Sequence, residues 1–394
     1  MRVLIAGGGI GGLTAALAFQ RSGHEVLVFE QSGGLDEVGA GIQLSPNGVK
    51  VLRALGVAAR VSRDAFRPKA AEMRMGRSGL RLFEIPLRKA SINRWGADYL
   101  HVHRADLIEA LKSALIERAP GSLLLGRKML AYTQSIDRVQ VQLDTGETFD
   151  GDLLVGADGI HSTVREQMLG ADAPRYTGMT AWRATAPVSD LGANVPPPTA
   201  CVWVGSRRHA VTYLLRGGSI ANFVGVVERK QKHLESWTAQ GSREDALKDF
   251  RRWHPSVTSI LEKAEILHRW ALYDREDLPK WHDGRVVLMG DACHPMLPFL
   301  AQGAVMAIED AYVLAREVSS DGQMADQLAQ YEAARKPRTS QVRKGANRNA
   351  GLFHRRNPVT QFSTYAPMWV AGSVLKKVIH GRNDWLYGHD VTGV

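Results

Sequence analysis

The sequence predicts an α/β fold: a parallel-sheet domain assembled from separate stretches of chain, a second domain rich in β-sheet, and helices at the C-terminus. Three signatures in fixed order predict it, each after a short apolar run: Gly7-Gly8-Gly9-Ile10-Gly11-Gly12, Gly156-Ala157-Asp158-Gly159, and Gly290-Asp291-Ala292-Cys293-His294-Pro295. Short apolar runs closed by glycine fit strands buried on both faces. Loops at the carboxyl ends of such strands are where open α/β sheets bind ligands.

Val3-Leu4-Ile5-Ala6 reads as the first strand. Residues 11–21 carry Leu13, Ala16, Leu17 and Gln20 at helical spacing, and the apolar stretch 25–29 ends in Glu30. Strand, glycine turn, helix, strand is a βαβ unit of the Rossmann type. In it Gly7 allows the tight turn, Gly9 lets the backbone approach a pyrophosphate, and Gly12 lets helix pack on strand. Glu30, eighteen positions after Gly12, stands where a carboxylate accepts hydrogen bonds from a ribose.

Residues 105–118 form a helix with Leu107, Ala110, Leu111 and Leu115 on one face, ended by Pro120-Gly121. Strict alternation over 138–143 with the turn Asp144-Thr145-Gly146-Glu147 predicts a hairpin. Residues 152–155 are another buried strand, 180–227 are β-rich, 285–289 return to the parallel-strand pattern, and 304–318 follow as a helix. The first domain is therefore discontinuous: 1–72, 98–175 and 280–335, with the sheet-rich domain at 73–97 and 176–279 and a helical segment over 336–394. Asp158 and Asp291 each follow an apolar strand. One alone reads as a turn or helix cap; two downstream of the glycine unit read as ligands for ribose or ribityl hydroxyls. The three motifs together describe a groove for one long dinucleotide that carries a flavin.

The 394-residue length suits two packed domains, and 44% hydrophobic with 23% charged residues excludes disorder. Cys201 and Cys293 are the only cysteines, so a disulfide framework is not expected, a reducing, cytoplasmic setting is, and no clustered Cys and His set offers a metal site. Much of the net charge of +10 lies in Arg335, Lys336, Arg338, Arg343, Lys344, Arg348, Arg355 and Arg356, with no acid between them. A solvated helix face explains this patch; without a recognition module, no nucleic-acid partner is expected. The field would still gather an anionic substrate or a pyridine nucleotide. Glycines within 7–12 spoil an N-terminal secretory signal, and no apolar run is long enough for a membrane span. Oligomeric state is left open, a homodimer included.

At this point the chain resembles a family, the class A, single-component FAD-dependent aromatic hydroxylases, and within it the salicylate, 3-hydroxybenzoate and 6-hydroxynicotinate monooxygenases. The resemblance spans nearly the whole chain. It rests on the Gly7–Gly12 fingerprint with Glu30, on Gly39-Ala-Gly-Ile-Gln43, His103-Arg104-Ala-Asp-Leu107 and Asp158-Gly159-Ile-His-Ser162-Thr-Val-Arg165, and on the Gly290–Pro298 loop with Ala301-Gln302-Gly303-Ala304. Glu309-Asp310-Ala311 and the closing Asp384-Trp-Leu-Tyr-Gly388 complete it. It implies non-covalent FAD, transient NADH or NADPH, O2, and a flavin C4a-hydroperoxide that attacks an electron-rich ring, with or without decarboxylation. By it Gly7, Gly9 and Gly12 hold the pyrophosphate, Glu30 the adenosine ribose, Arg104 the phosphate-ribityl region and Asp291 the ribityl chain. Asp158 supports FAD and the nicotinamide approach, while Gln43, Pro298, Gly303, Ala304 and Val305 belong to the flavin site, with backbone N–H groups near its pyrimidine edge. No second GxGxxG unit stands ready for the nicotinamide nucleotide.

His209 and Tyr213, four residues apart on a strand, share one face of the sheet. The resemblance assigns them the active-site histidine and tyrosine of a phenol hydroxylase, and Gln302 a substrate contact; a histidine near neutrality suits removal of a phenolic proton. His294 shapes its loop. Arg183, Arg216 and Arg88 are the candidates for a substrate carboxylate. The rivals are a quinone-biosynthesis or urate-type hydroxylase of the same fold, and a flavin-binding redox or interaction protein without oxygen insertion.

Overall fold

The computed structural model describes residues 1–35, 41–171, 174–229, 240–374 and 381–393. The segment Gly39-Ala40 of the sequence motif lies outside them. The first sheet has six strands in the order His282–Asp283, Val286–Leu288, Leu153–Gly156, Arg2–Ala6, Glu25–Glu30 and Leu123–Leu125. All neighbours run parallel except the His282–Asp283 edge. The register aligns Ala6 with Gly156 and Gly156 with Leu288. Because aligned parallel strands end together, Gly7, Asp158 and Asp291 emerge at one edge of the sheet, although nearly three hundred residues separate the first from the last. Helices Ile10–Arg21, Arg104–Arg118 and Gly303–Val318 pack with this sheet into one core containing Leu4, Ile5, Leu17, Val155, Val287 and Ile308.

A seven-stranded sheet follows the order Leu267–Asp274, Arg175–Pro187, Ile220–Glu228, Arg208–Leu215, Ala200–Gly205, Ala70–Met75 and Arg81–Pro86. The strand Ala70–Met75 begins ahead of the boundary expected at 73. Its side chains alternate as a two-faced sheet requires. Trp182, Trp203, Ala210, Leu214 and Phe223 pack against Ile260 of helix Pro255–Lys263 and against Phe250 and Trp253 of the link between it and helix Arg243–Asp249. The opposite face, with Ala181, Val204, Val226 and Trp270, meets Leu297, Phe299 and Phe353 of the first domain and the C-terminal helix. The interface between the two domains is therefore a shared apolar core rather than a hinge.

The C-terminal region is helical: Met324–Phe353, Pro358–Val374 and Asp384–Tyr387. Asp384 takes Arg94 in two bonds of 2.6 Å and the Trp95 indole at 2.8 Å, pinning the tail to helix Lys89–Trp95. The basic run departs from the sequence expectation of a solvated face. Arg335 is 1% exposed and Arg338 9% exposed, because their helix lies over the buried Glu309-Asp310 pair of helix Gly303–Val318. Among the described residues, no helix is long and apolar enough to cross a membrane.

Candidate active site

The glycine turn is built around two steric demands. Gly7 has φ +101°, and a Cβ there would stand 2.5 Å from the Ala157 carbonyl oxygen. A Cβ at Gly12 would stand 1.9 Å from the Gly7 oxygen, so the helix approaches the first strand only with glycine at this position. At Gly9, the N-cap, a Cβ would meet nothing within 4 Å. Helix Ile10–Arg21 has neither a side-chain cap nor an acidic residue in its first turn, which leaves its first N–H groups for an anion. Glu30 accepts from the N–H of Gly8 at 2.7 Å and of Ser32 at 2.8 Å. Each carboxylate oxygen retains acceptor capacity for a ribose hydroxyl.

Across the sheet edge, Asp291 is exposed although its neighbours Gly290, Ala292 and His294 are buried, as expected of a side chain facing an open groove. The surrounding protein raises its carboxyl, opposed by His294 and by Arg104. Arg104, at the start of helix Arg104–Arg118, is lowered by burial and held up by Asp291. An acceptor for hydroxyls and a donor for phosphate thus lie near enough for each to hold the other in its charged form. Asp158 accepts from the Val164 N–H at 3.1 Å, beside the Ser162 cap of helix Thr163–Leu169. Here the helix-cap role coexists with its place at the sheet edge. Gln43 accepts from the Tyr99 hydroxyl at 2.7 Å. Open space at Gly9, the free helix start, and the Asp291–Arg104 pair fit the pyrophosphate and ribityl chain of FAD.

The Gly290 loop is held from beneath. Asp310 accepts from the Gly290 N–H at 3.0 Å, from His294 Nε2 in a short contact, and from Arg335 Nε at 2.7 Å. These links fix His294 as a loop residue. Glu309 accepts from Arg335 at 2.7 Å, from Arg338 at 2.7 and 2.8 Å, and from Asn47 at 2.7 Å. His294 and Arg335 hold Asp310 down at about 2 despite its burial. Cys293, His294 and Asp310 lie within 4.8 Å of one another, a grouping hidden by the sequence. Asp310 there is already saturated by its loop and arginine partners.

Gln302 departs from its expected place. It is 1% exposed and turned inward, donating to Ser45 Oγ at 2.9 Å and accepting from Asn47 at 3.3 Å. Its amide secures the start of helix Gly303–Val318 instead of pointing into the groove. The Val305 side chain is likewise fully buried, against Gly48, so only its main chain can line a ligand. Pro298 is exposed, Gly303 and Ala304 are half-buried, and helix Gly303–Val318 has no side-chain cap and no acid in its first turn.

His209 and Tyr213 lie on strand Arg208–Leu215 as the spacing requires, both on the face turned to the first domain. The cross-strand row His209, Val226, Ala181 and Val204 is buried under Leu297, Phe299 and Phe353. His209 packs edge-on against Phe299 of the Pro298–Leu300 turn, with ring centroids 5.1 Å apart. Tyr213 closes against Gly41 and packs at a tilt against the buried His101, centroids 4.8 Å apart. Between these covered rows, the paired residues Val202, Val211, Val224 and Arg183 are only partly buried. The Arg183 guanidinium lies 4.9 Å from the Trp270 ring centroid, and burial lowers its pKa to about 10. Burial pushes His209 well below its ordinary value and Tyr213 above its own, so both are neutral at pH 7. Of the other arginine candidates, Arg216 is paired with Asp106 at 2.7 and 3.0 Å, and Arg88 is exposed and bonded to the Arg67 carbonyl.

A family model described as FAD binding domain matches residues 1–346. The chain is 33% identical to the 6-hydroxynicotinate 3-monooxygenase of Bordetella bronchiseptica, over 99% of this chain and 95% of that protein. The chain belongs to this family of FAD-dependent aromatic monooxygenases. It is also 34% identical to the 3-hydroxybenzoate 6-hydroxylase of Polaromonas naphthalenivorans, over 99% and 96% of the two chains. The crystal structure of Klebsiella pneumoniae HpxO complexed with FAD and uric acid superposes with a TM-score of 0.84 at 27% identity, covering 97% of this chain and 96% of that one. As a member of the family this protein binds FAD, takes electrons from NAD(P)H and inserts one atom of O2 into an aromatic ring.

Sequence reasoning missed His101, His354 and the Ser45-Asn47 pair. The only local signal for any of them was Ser45-Pro46, a helix start.

Proposed function

We propose that this enzyme hydroxylates a small ring bearing both an ionisable hydroxyl and a carboxylate, of the hydroxybenzoate or hydroxynicotinate class. One observation carries the reading: the partly buried row Val202, Val211, Val224 and Arg183 between the covered His209 and Tyr213 rows. At a rise of about 3.3 Å per residue, the Cα atoms of His209 and Tyr213 stand roughly 13 Å apart. One small aromatic acid fills that gap with its two ends in different environments. The valines offer apolar contact to the ring, Arg183 a charge for the carboxylate, and His209 an acceptor for the hydroxyl proton. The acids named for the two relatives share this pairing of ring hydroxyl and carboxylate.

Gly7, Gly9, Gly12, Glu30, Arg104 and Asp291 would hold FAD, with Asp158 and Gln43 supporting their loops and the backbone of Pro298, Gly303, Ala304 and Val305 beside the ring. FAD, when bound, supplies the chemistry that activates O2. The chain excludes water through Leu297, Phe299 and Phe353, orients the ring, and withdraws the proton at His209 Nε2 to give the more nucleophilic phenolate. Gln302 acts as a scaffold for the loop.

A panel of 3-hydroxybenzoate, 6-hydroxynicotinate, salicylate and urate, scored by NADH and NADPH consumption and by product mass, tests the reading. A hydroxylated or decarboxylated product from at least one carboxylate is expected. Turnover with urate and with none of the carboxylates would overturn it.

A further inference from the structure

His209 accepts a proton in a place from which the proton has no direct way out. The ring is 1% exposed and walled by Phe299 and Phe353. Its Nδ1 instead lies 2.7 Å from His354 Nε2, a buried contact between two imidazoles 145 residues apart in sequence. His354 caps the C-terminal end of helix Met324–Phe353, and its Nδ1 lies 3.5 Å from Glu228 Oε1 on strand Ile220–Glu228. The other Glu228 oxygen is 3.4 Å from Arg356. His354 and Glu228 form part of the wall of a groove of ≈ 1130 Å³ that also presents Arg207, Arg229, Arg355 and Arg356.

We propose that His354 and Glu228 form a relay that carries the substrate's hydroxyl proton from His209 to this basic groove. The proposal rests on His209 as the base of the preceding section. The hops balance without oxidation or reduction. The substrate O–H bond breaks as His209 Nε2 gains the proton, His209 Nδ1–H passes its proton to His354 Nε2, and His354 Nδ1–H passes its own to Glu228. Each ring changes tautomer and remains neutral, while the negative charge moves from Glu228 to the substrate oxygen.

Charge explains why a relay suits the place better than a lone base. Burial lowers both rings, His354 to about 4 with the help of Arg208, and His209 well below its ordinary value with His354 beside it. The charged groups facing the pair are Arg208 on the strand of His209, Glu228 on the neighbouring strand, and Arg356 beyond the helix end. A histidine that cannot store a positive charge removes a proton only if it gives one up at the same time. The arginines of the groove then favour an anion, such as a basic buffer species, that accepts the proton from Glu228.

Proton release separates a relay from mere orientation of His209. Holoenzyme is mixed with 3-hydroxybenzoate, or the panel acid that turns over, and a pH indicator reports release on binding, before any turnover. Asparagine at 354 still accepts from His209 Nδ1–H, so His354→Asn keeps the tautomer but cannot pass a proton on. Release in His354→Asn and in Glu228→Gln is expected to slow by roughly 10²-fold or more, and added imidazole should restore His354→Ala. Wild-type release rates in both His354→Asn and Glu228→Gln, with release abolished in His209→Ala, would remove the relay and leave His209 as the base. Unchanged release in His209→Ala would instead remove the base itself. Glu228 lies at the groove wall, so its variant keeps the test decisive if His354→Asn folds poorly.

Discussion

Arg335→Met tests the buried charge cluster beneath the Gly290 loop. Arg335 is 1% exposed and donates to Asp310 Oδ1 and Glu309 Oε2, both at 2.7 Å. Methionine restores much of the volume, so the loss is chiefly electrostatic. Glu309 keeps two bonds from Arg338, at 2.7 and 2.8 Å, whereas the Oδ1 oxygen of Asp310 loses its arginine partner. Breaking a buried pair by removing one member costs about 3–5 kcal/mol, a large part of a typical stability of about 5–15 kcal/mol. Arg60→Met is the control: its pair with Glu117 is also bidentate, at 2.7 and 2.5 Å, but exposed, and such pairs contribute about 0.2–1 kcal/mol. Thermal melts followed by circular dichroism and flavin fluorescence should place Arg335→Met roughly 4–6 °C below wild type and Arg60→Met within about 1 °C of it. Since Asp310 anchors the Gly290 N–H, flavin should also leave Arg335→Met more readily. Adding Asp310→Asn to Arg335→Met should recover part of the loss by removing the unpaired charge. Equal shifts in the two arginine variants would refute the claim that an uncompensated buried carboxylate sets the cost.

Asp291→Ala should lose most of its FAD on dialysis while keeping a wild-type far-UV spectrum, because the carboxylate faces the groove and lies outside the core; full retention of yellow colour would show that the groove is misassigned. Acid denaturation should release all the flavin of wild type into the supernatant, since no covalent attachment is expected. His209→Ala should slow hydroxylation by roughly 10²-fold or more with less effect on flavin reduction, so NAD(P)H oxidation yields hydrogen peroxide, and raising the pH should partly restore coupling by ionising the phenol. Stability should fall in two acid windows, read from urea midpoints against pH. His101 and His354 are lowered to about 3 and about 4, so unfolding takes up protons below their ordinary value and stability drops as pH falls from about 6.5 toward 4. Asp310, held at about 2, contributes stability that is present above about pH 4 and lost as pH falls toward 2. His101→Phe should flatten the first window; an unchanged slope would count against a neutral, buried His101.

The sequence by itself determined whatever depends on neighbours along the chain. The strand, glycine turn, helix and strand of residues 2–30, the buried strands before Asp158 and Asp291, and the shared face of His209 and Tyr213 follow from periodicity and from the steric privilege of glycine. Parallel strands with a common register then place the three motifs at one sheet edge without further information. Tertiary structure alone decided what each polar group meets. Arg335 and Arg338 look like members of a solvated basic run until Glu309 and Asp310 are brought beneath them. Gln302 looks free to contact a ligand until Ser45 and Asn47, more than 250 positions away, claim its amide. His354 has no local motif, yet it is the partner of His209. Period and propensity describe the face a residue presents, but the energy of a charge or an amide depends on the groups within a few ångströms of it, and those are delivered by distant segments of the chain.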